Sequence, residues 1–315
     1  MSEKLRLVFT SDVHASDRVY KKFLKAAEFY DAQILVLGGD VTGKAIIPIL
    51  STDAGYISQL HGETHEITEA SLGEYVQRVK DAGFYPYVTS RETYDGLNQD
   101  KEKLQSLFEE LMVRRMKEWV EMAEERLGHT GVKVYISPGN DDTPVIDPVL
   151  SSSKFVVNPE GQVVGVDGYQ MATLGVTNPT PWHTPREQSE GELYSTIRRL
   201  VEGHDEFDDM IFNFHCPPYG TPLDLAPRLD EQLHPVMSGD EVEIIHVGST
   251  AVRKAIEELQ PMLGVHGHIH ESRGVCKLGK TVCLNPGSEY GEGLLRCTII
   301  DLKDGKLKNY ANATG

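Results

Sequence analysis

The sequence has little of what marks a secreted, membrane-bound or nucleic-acid-coating protein. Its 315 residues include four cysteines, Cys216, Cys276, Cys283 and Cys297, and no Cys-x-x-Cys pair. Neither a disulfide framework nor a thiolate zinc clip is indicated, and reduced thiols are the simpler expectation. No apolar run is long enough to span a bilayer. The charged start, residues 1–7, has no apolar signal-peptide core. The expected compartment is therefore the cytoplasm, with no membrane partner. Positive charge is also scarce: 31 Lys and Arg against 48 Asp and Glu leave a net charge of −17. Such a surface repels a phosphate backbone, which disfavours long nucleic acid, whereas it suits divalent cations. Repeats, low-complexity linkers and long charge runs are absent.

What is present is an alternation of strands and helices. Residues 5–10 and 34–37 read as buried strands. Between them, 16–30 places Val19, Phe23, Leu24 and Ala27 on one helical face, with Ser16 as N-cap. Residues 56–67 read as a hairpin turning near Gly62-Glu63, and 71–80 as a short helix ended by Gly83. One long helix, 100–127, carries an apolar stripe through Leu104, Phe108, Leu111, Met112, Met116, Trp119, Val120, Ala123 and Leu127. Packing against the same chain is the first explanation of that stripe, and a homodimer face the second. Further strands are expected at 132–136, 163–166, 169–176, 210–214, 262–266, 274–277, 281–284 and 294–302, and helices at 189–201 and 249–259. The pattern is α/β with more than one sheet: one domain over 1–315, with a hairpin-plus-helices insertion at 51–130.

Residues able to bind a cation recur just past the expected strand ends, where sites in α/β sheets collect. Asp12 and His14 are two apart, so on extended backbone they face one way; alone, the pair fits a solvated loop equally well. Asp40 follows two glycines, and Asn140 sits in a Pro-Gly-Asn-Asp-Asp turn. Each is also ordinary turn chemistry. His215 ends a strand. His266-Gly267-His268-Ile269-His270 is the densest imidazole cluster of the chain. A set of carboxylate, amide and imidazole without thiolate suits Mn, Fe, Zn or similar ions.

In order, Asp12-x-His14, Gly39-Asp40, Gly139-Asn140, His215 and Gly267-His268-x-His270 resemble the five motifs of the calcineurin-like metallophosphoesterases. The phrases His215-Cys216-Pro217-Pro218-Tyr219-Gly220-Thr221 and Asn285-Pro286-Gly287-Ser288 are similar to the Icc-related branch. The resemblance implies a four-layer α/β/β/α sandwich and two divalent ions. Asp12, His14, Asp40 and His270 would hold one ion, and Asp40, Asn140, His215 and His268 the other, with Asp40 bridging. It also implies hydrolysis of a small phosphate ester by a metal-bridging hydroxide. One position departs from the motif. Many members have Gly-Asn-His-Asp, whose histidine assists the leaving group, and here that residue is Asp141. An aspartate, with a reference pKa of about 3.9, is a poor acid at neutral pH. Diesters and good leaving groups are therefore expected over alkyl monoesters, with Asp141 and His215 as the candidate catalytic side chains.

His183, His246 and His266 are weaker candidates, each with a loop or packing role as its simpler explanation, and Cys216 reads as structural. Two other functions compete: a non-catalytic scaffold of the same fold, and a nuclease. The scaffold is opposed by the suitable residue at every ligand position. The nuclease is opposed by an acidic insertion whose basic runs are as short as Arg114-Arg115.

Overall fold

Leu5–Thr10 and Ile34–Gly38 are apolar on both faces, and each face is covered by a different layer. Leu7, Phe9, Ile34 and Val36 point into a layer shared with Met171, Ile211, Leu263 and Leu284. Val8, Leu35 and Leu37 point the opposite way, beneath helices. Strands buried on both faces read as continuous apolar runs, as seen here.

A computed structural model describes residues 4–315; Met1–Glu3, part of the charged start, lie outside the described residues. Two six-stranded sheets stack face to face. In the first the order is Lys306–Thr314, Arg296–Lys303, Leu5–Thr10, Ile34–Gly38, Lys133–Ser137, Val156–Val157. In the second it is Gly274–Leu278, Thr281–Asn285, Leu263–Val265, Met210–Phe214, Tyr169–Leu174, Val163–Val166. Helices α1 (Asp17–Phe29), α4 (Lys101–Leu127) and α5 (Asp147–Ser152) cover the outer face of the first sheet. Helices α6 (Glu190–Leu200) and α7 (Thr250–Leu259) cover the second. The result is the four-layer α/β/β/α sandwich that the resemblance implied.

The inserted region is richer than its sequence pattern. The hairpin of 56–67 belongs to a four-stranded sheet ordered Glu63–Ile67, Gly55–Leu60, Ile46–Thr52, Tyr85–Thr89. Ile46–Thr52 begins upstream of residue 51. Pro48 and flanking turn residues break its strand signal in the sequence. The sheet carries α2 (Leu72–Asp81) through a small core of its own, Ile49, Leu60, Ile67, Tyr75 and Val79. Helix α3 (Arg91–Asn98) has no apolar face to announce it: none of its residues is buried.

The stripe on α4 is covered by this chain. Met116, Trp119 and Ala123 lie in the same core as Tyr20 and Phe23 of α1. The Trp119 indole stacks on Tyr20 at 4.1 Å with the rings 2° from parallel, and its Nε1–H donates to Asp17 at 2.8 Å. Arg115 is buried and donates to the carbonyl of Ala15, so the helix is tied to the loop after the first strand. Met116, Trp119 and Ala123 are therefore buried within this chain. Among the described residues, no helix is long and apolar enough to cross a membrane.

Candidate metal centre

Three parallel strands of the first sheet and two of the second end on the same side. The loops that follow carry all seven predicted ligands. The loop after Leu5–Thr10 is laced to the loop after Ile34–Gly38 by Asp12 N–H to Gly39 O at 3.0 Å, His14 N–H to Asp40 O at 3.0 Å and Ala15 N–H to Val41 O at 2.9 Å. Asp12, His14, Ala15, Asp40 and His268 take left-handed φ values of 57°, 40°, 56°, 50° and 65°. Such conformations are strained for non-glycine residues, at roughly 1–3 kcal/mol each, and concentrate at functional sites. Two glycines leave room for the crowding. A Cβ on Gly139 would run into Asp40 Oδ1, and one on Gly267 would run into Ser11 Oγ and Asp12 Oδ2.

The donor atoms fall into two clusters, Asp12 with His14 and His270, and Asp40 with His215 and His268, and a third group, His14 with Asp40 and Asp141, links them. Within each, all ligand atoms lie within 4.8 Å of one another. Asp40 faces both. Its Oδ1 is 3.4 Å from His215 Nε2 and its Oδ2 is 3.9 Å from His14 Nε2. Asp12 Oδ1 is 3.3 Å from His270 Nε2 and 3.7 Å from His215 Nε2.

Each donor is oriented from behind. His14 Nδ1 donates to the Thr42 carbonyl at 3.2 Å and His215 Nδ1 to the Gly38 carbonyl at 2.9 Å. Each Nε2 therefore turns a lone pair into the site. His14 Nε2 faces His270 Nε2 at 3.2 Å, two ring nitrogens with nothing between them. Asn140 donates through Nδ2 to Asp141 at 3.2 Å and Thr184 at 2.9 Å, which aims Oδ1 at the cluster. Asn140 Oδ1 and His215 Nε2 are buried and have no hydrogen-bond partner. A buried acceptor without a partner is costly. Cations at the two clusters would satisfy these atoms, so the residues present fit a two-metal centre.

The charge balance points the same way. Burial works against ionisation of Asp12 and Asp40, yet the facing His215 holds both carboxyls well below the usual range. Burial pushes His14 down to about 3 and His268 to about 4, leaving both neutral as a ligand must be. Burial also opposes charge on His215, but Asp40 and Asp12 outweigh it and raise His215 to about 10. With no cation present, the pair of carboxylates draws a proton to the atom that is otherwise free to bind metal.

The weaker candidates fall elsewhere. His183 is an exposed loop residue. His266 is wholly buried, bonds through Nδ1 to Phe214 O at 2.7 Å and is held neutral by burial, near a pKa of about 4. His246 lines the cleft beside the clusters, with Nδ1 on Asp224 at 2.8 Å. Burial pushes the Cys216 thiol up, and it donates to Asn178 at 2.9 Å, a structural role.

Further residues support the donors from outside the clusters. Asp142 is fully buried and accepts from Val41 N, Thr42 N, Thr42 Oγ1 and Gly139 N, joining the Asp40 and Asn140 loops. Ser288 donates to Asp12 O at 2.6 Å, and Asn285 to the carbonyls of Gly267 and Ile269. The Asn-Pro-Gly-Ser phrase thus buttresses the histidine loop. Tyr290 packs its ring 4.6 Å from that of His14. Lys44 Nζ lies 2.8 Å from Asp141 Oδ2. Burial and the facing Asp40 push the Asp141 carboxyl up, against the pull of Lys44.

No family model matches the chain. An uncharacterized protein of Methanocaldococcus jannaschii, MJ1162, is 32% identical over 157 residues, which cover 49% of this chain and 64% of that protein. The chain thus spans just under two thirds of this relative's length. Among solved structures, TT1561 of Thermus thermophilus is 16% identical with a TM-score of 0.55, covering 99% of both chains. A dimetal phosphatase from Danio rerio is 9% identical with a TM-score of 0.43, covering 98% of both. Two stacked six-stranded sheets between helical layers form a four-layer α/β/β/α sandwich, with the predicted carboxylate and imidazole donors gathered past its strand ends.

Proposed function

We propose that this protein is a two-metal phosphoesterase acting on a small phosphate ester, with diesters and good leaving groups preferred. The observation that carries the reading is the pair of donor clusters with Asp40 facing both, and with Asn140 Oδ1 and His215 Nε2 buried and unpartnered. Asp12, His14, Asp40 and His270 would hold one ion, and Asp40, Asn140, His215 and His268 the other. When bound, the ions supply a lowered water pKa and Lewis-acid stabilisation of phosphoryl oxygens. Manganese, iron and zinc all suit this donor set.

The chain's own groups do the rest. Thr42 O and Gly38 O hold His14 and His215 in the tautomer that presents Nε2. Asp141 is paired with Lys44, so its role is to hold that ammonium at the cleft wall rather than to give up a proton. Lys44 lines the same cleft as His268 and His270. A cation there offsets charge on the phosphoryl group or the departing oxygen. It stands in for the missing histidine of the motif as charge, without proton transfer. Leaving groups that depart without a proton are favoured by such a site, which supports the diester and aryl-ester preference.

Metal analysis and hydrolysis of bis(p-nitrophenyl) phosphate test the reading together. The chain loaded with manganese is expected to bind two ions and turn the ester over, and Asp40→Ala to lose both properties. An Asp40→Ala variant that kept full activity would end the proposal. A wild-type chain that binds no divalent ion and is inert would instead favour the scaffold.

A further inference from the structure

The donor clusters open into a cleft of about 1210 Å³. That exceeds the ~300–1,000 Å³ typical of sites that enclose a whole organic ligand. A phosphate group fills a small part of it. The walls beyond the clusters are largely apolar. Trp182 and Tyr219 stand on opposite loops and are 59% and 42% exposed, and Leu233 is 41% exposed. Phe108 and Met112 of α4 complete the apolar lining. Large apolar side chains held out in water beside a polar centre mark a binding surface.

The Trp182 loop is built to hold its place. Glu187 Oε1 accepts from Thr180 Oγ1 at 2.6 Å, Thr184 N at 2.8 Å and Thr184 Oγ1 at 2.7 Å. Thr184 Oγ1 in turn accepts from Asn140 Nδ2 at 2.9 Å. The loop is thus hydrogen-bonded directly to a candidate ligand, and Pro179, Pro181 and Pro185 restrict its backbone. Across the cleft, Asp224 gathers Gly220 N, Thr221 N, Gly248 N and His246 Nδ1, which closes the base of the 219–248 flap. Both loops line the cleft beside the donors, and Asn178 Nδ2 joins them by donating to Val247 O at 3.2 Å. Cations are few: among the described residues lining the cleft, Lys44 and Arg228 are the only Lys or Arg. Each is already paired, Lys44 with Asp141 and Arg228 with Glu243.

We infer that the cleft receives the organic arm of the substrate, and that this arm is bulky and apolar. The substrate class is a phosphate ester with one phosphate and either a planar base or a hydrocarbon chain. A polyanionic nucleotide fits less well, because both cations of the walls are already paired, and a small hydrophilic ester would leave the exposed apolar wall uncovered. The inference rests on the phosphoesterase reading and names what that site takes.

Two measurements on the full chain separate the two claims. In the first, the manganese-loaded protein hydrolyses three p-nitrophenyl phosphodiesters that share a leaving group and differ in the other arm: methyl, thymidine-5′ and dodecyl. At least one large arm is expected to raise kcat/KM by about tenfold or more over methyl, mainly through KM, since apolar area is buried on binding. Which arm gains distinguishes a base from a chain. Trp182→Ala is expected to shrink the large-arm to methyl-arm ratio. In the second, the phosphonate analogues with the same arms are titrated by calorimetry and tryptophan emission. Trp119 is fully buried, so a shift that disappears in Trp182→Phe reports the cleft wall. Equal kcat/KM for all arms, with arm-independent phosphonate affinity, overturns the subsite even if the enzyme is active. No turnover of any ester, with a large-arm shift of Trp182 emission retained, overturns the phosphoesterase reading and leaves the subsite standing.

Discussion

At the scale of single residues, the donors are held from behind by the Thr42 and Gly38 carbonyls, by Asp142 and by Ser288. Asp12, His14, Asp40, Asn140, His215, His268 and His270 stand out in the sequence because chemistry demands particular donor types after strand ends. Lys44 does not, since a lysine four residues past an aspartate has no pattern. Only folding brings its Nζ to 2.8 Å from Asp141. Lys44→Met is expected to lower kcat by about tenfold to a hundredfold for poor leaving groups and less for nitrophenolate. A leaving-group series checks this, and a uniform or absent effect would reduce the lysine to a surface pair. Gly267 makes a second case at this scale. A methyl there meets Asp12 and Ser11, so Gly267→Ala should keep native circular dichroism while metal affinity falls by about tenfold or more, read by metal titration.

At the scale of elements, the strongly periodic segments match their sequence signal. Ser16 caps α1, accepting from Val19 N at 3.4 Å, and the apolar face of α1 is buried as its spacing indicates. Helix α4 begins at Lys101 with Asp100 as its cap. The elements without a signal are those whose identity depends on a partner. The terminal strand Lys306–Thr314 alternates exposed and half-buried residues and exists because Arg296–Lys303 lies beside it. Short ladders within 219–248, Leu225–Pro227 with Ile244–His246 and Met237–Ser238 with Glu241–Val242, are likewise invisible to local pattern. On α4, Trp119 is wholly buried between α1 and the first sheet. Trp119→Ala should cost about 3–5 kcal/mol, measured by urea unfolding. A loss under ~1 kcal/mol would mean that α4 is not anchored there.

At the scale of the whole molecule, the two sheets must stay in register for the clusters to meet. Glu160 helps to join them. It follows Val156–Val157 of the first sheet, bridges to Thr173 of the second, and accepts Gly175 N–H at 2.9 and 3.0 Å. Burial raises its carboxyl to about 7. A carboxyl whose folded pKa lies above its unfolded value favours folding most when protonated. Its contribution is complete below about 4.5 and is lost as pH rises through about 7. Stability should therefore fall by roughly 3 kcal/mol across that interval from this group, and Glu160→Gln should flatten that part of the curve. Unfolding midpoints at pH 5 and pH 8 for both proteins check the sign. An unchanged slope in the variant would place the titration elsewhere.

The chain alone determined its class, the strand and helix order of its core, the donor types and the absence of a thiolate site. These depend on period, composition and the chemistry of side chains, which are local properties. Tertiary structure decided which donors share a cluster, which nitrogen of each imidazole faces inward, and that Asp141 answers to Lys44. It also set an apolar cleft beside the centre. Those outcomes depend on contacts between residues tens to hundreds of positions apart, such as Asp12 with His270. Their distances are set only when the two sheets pack.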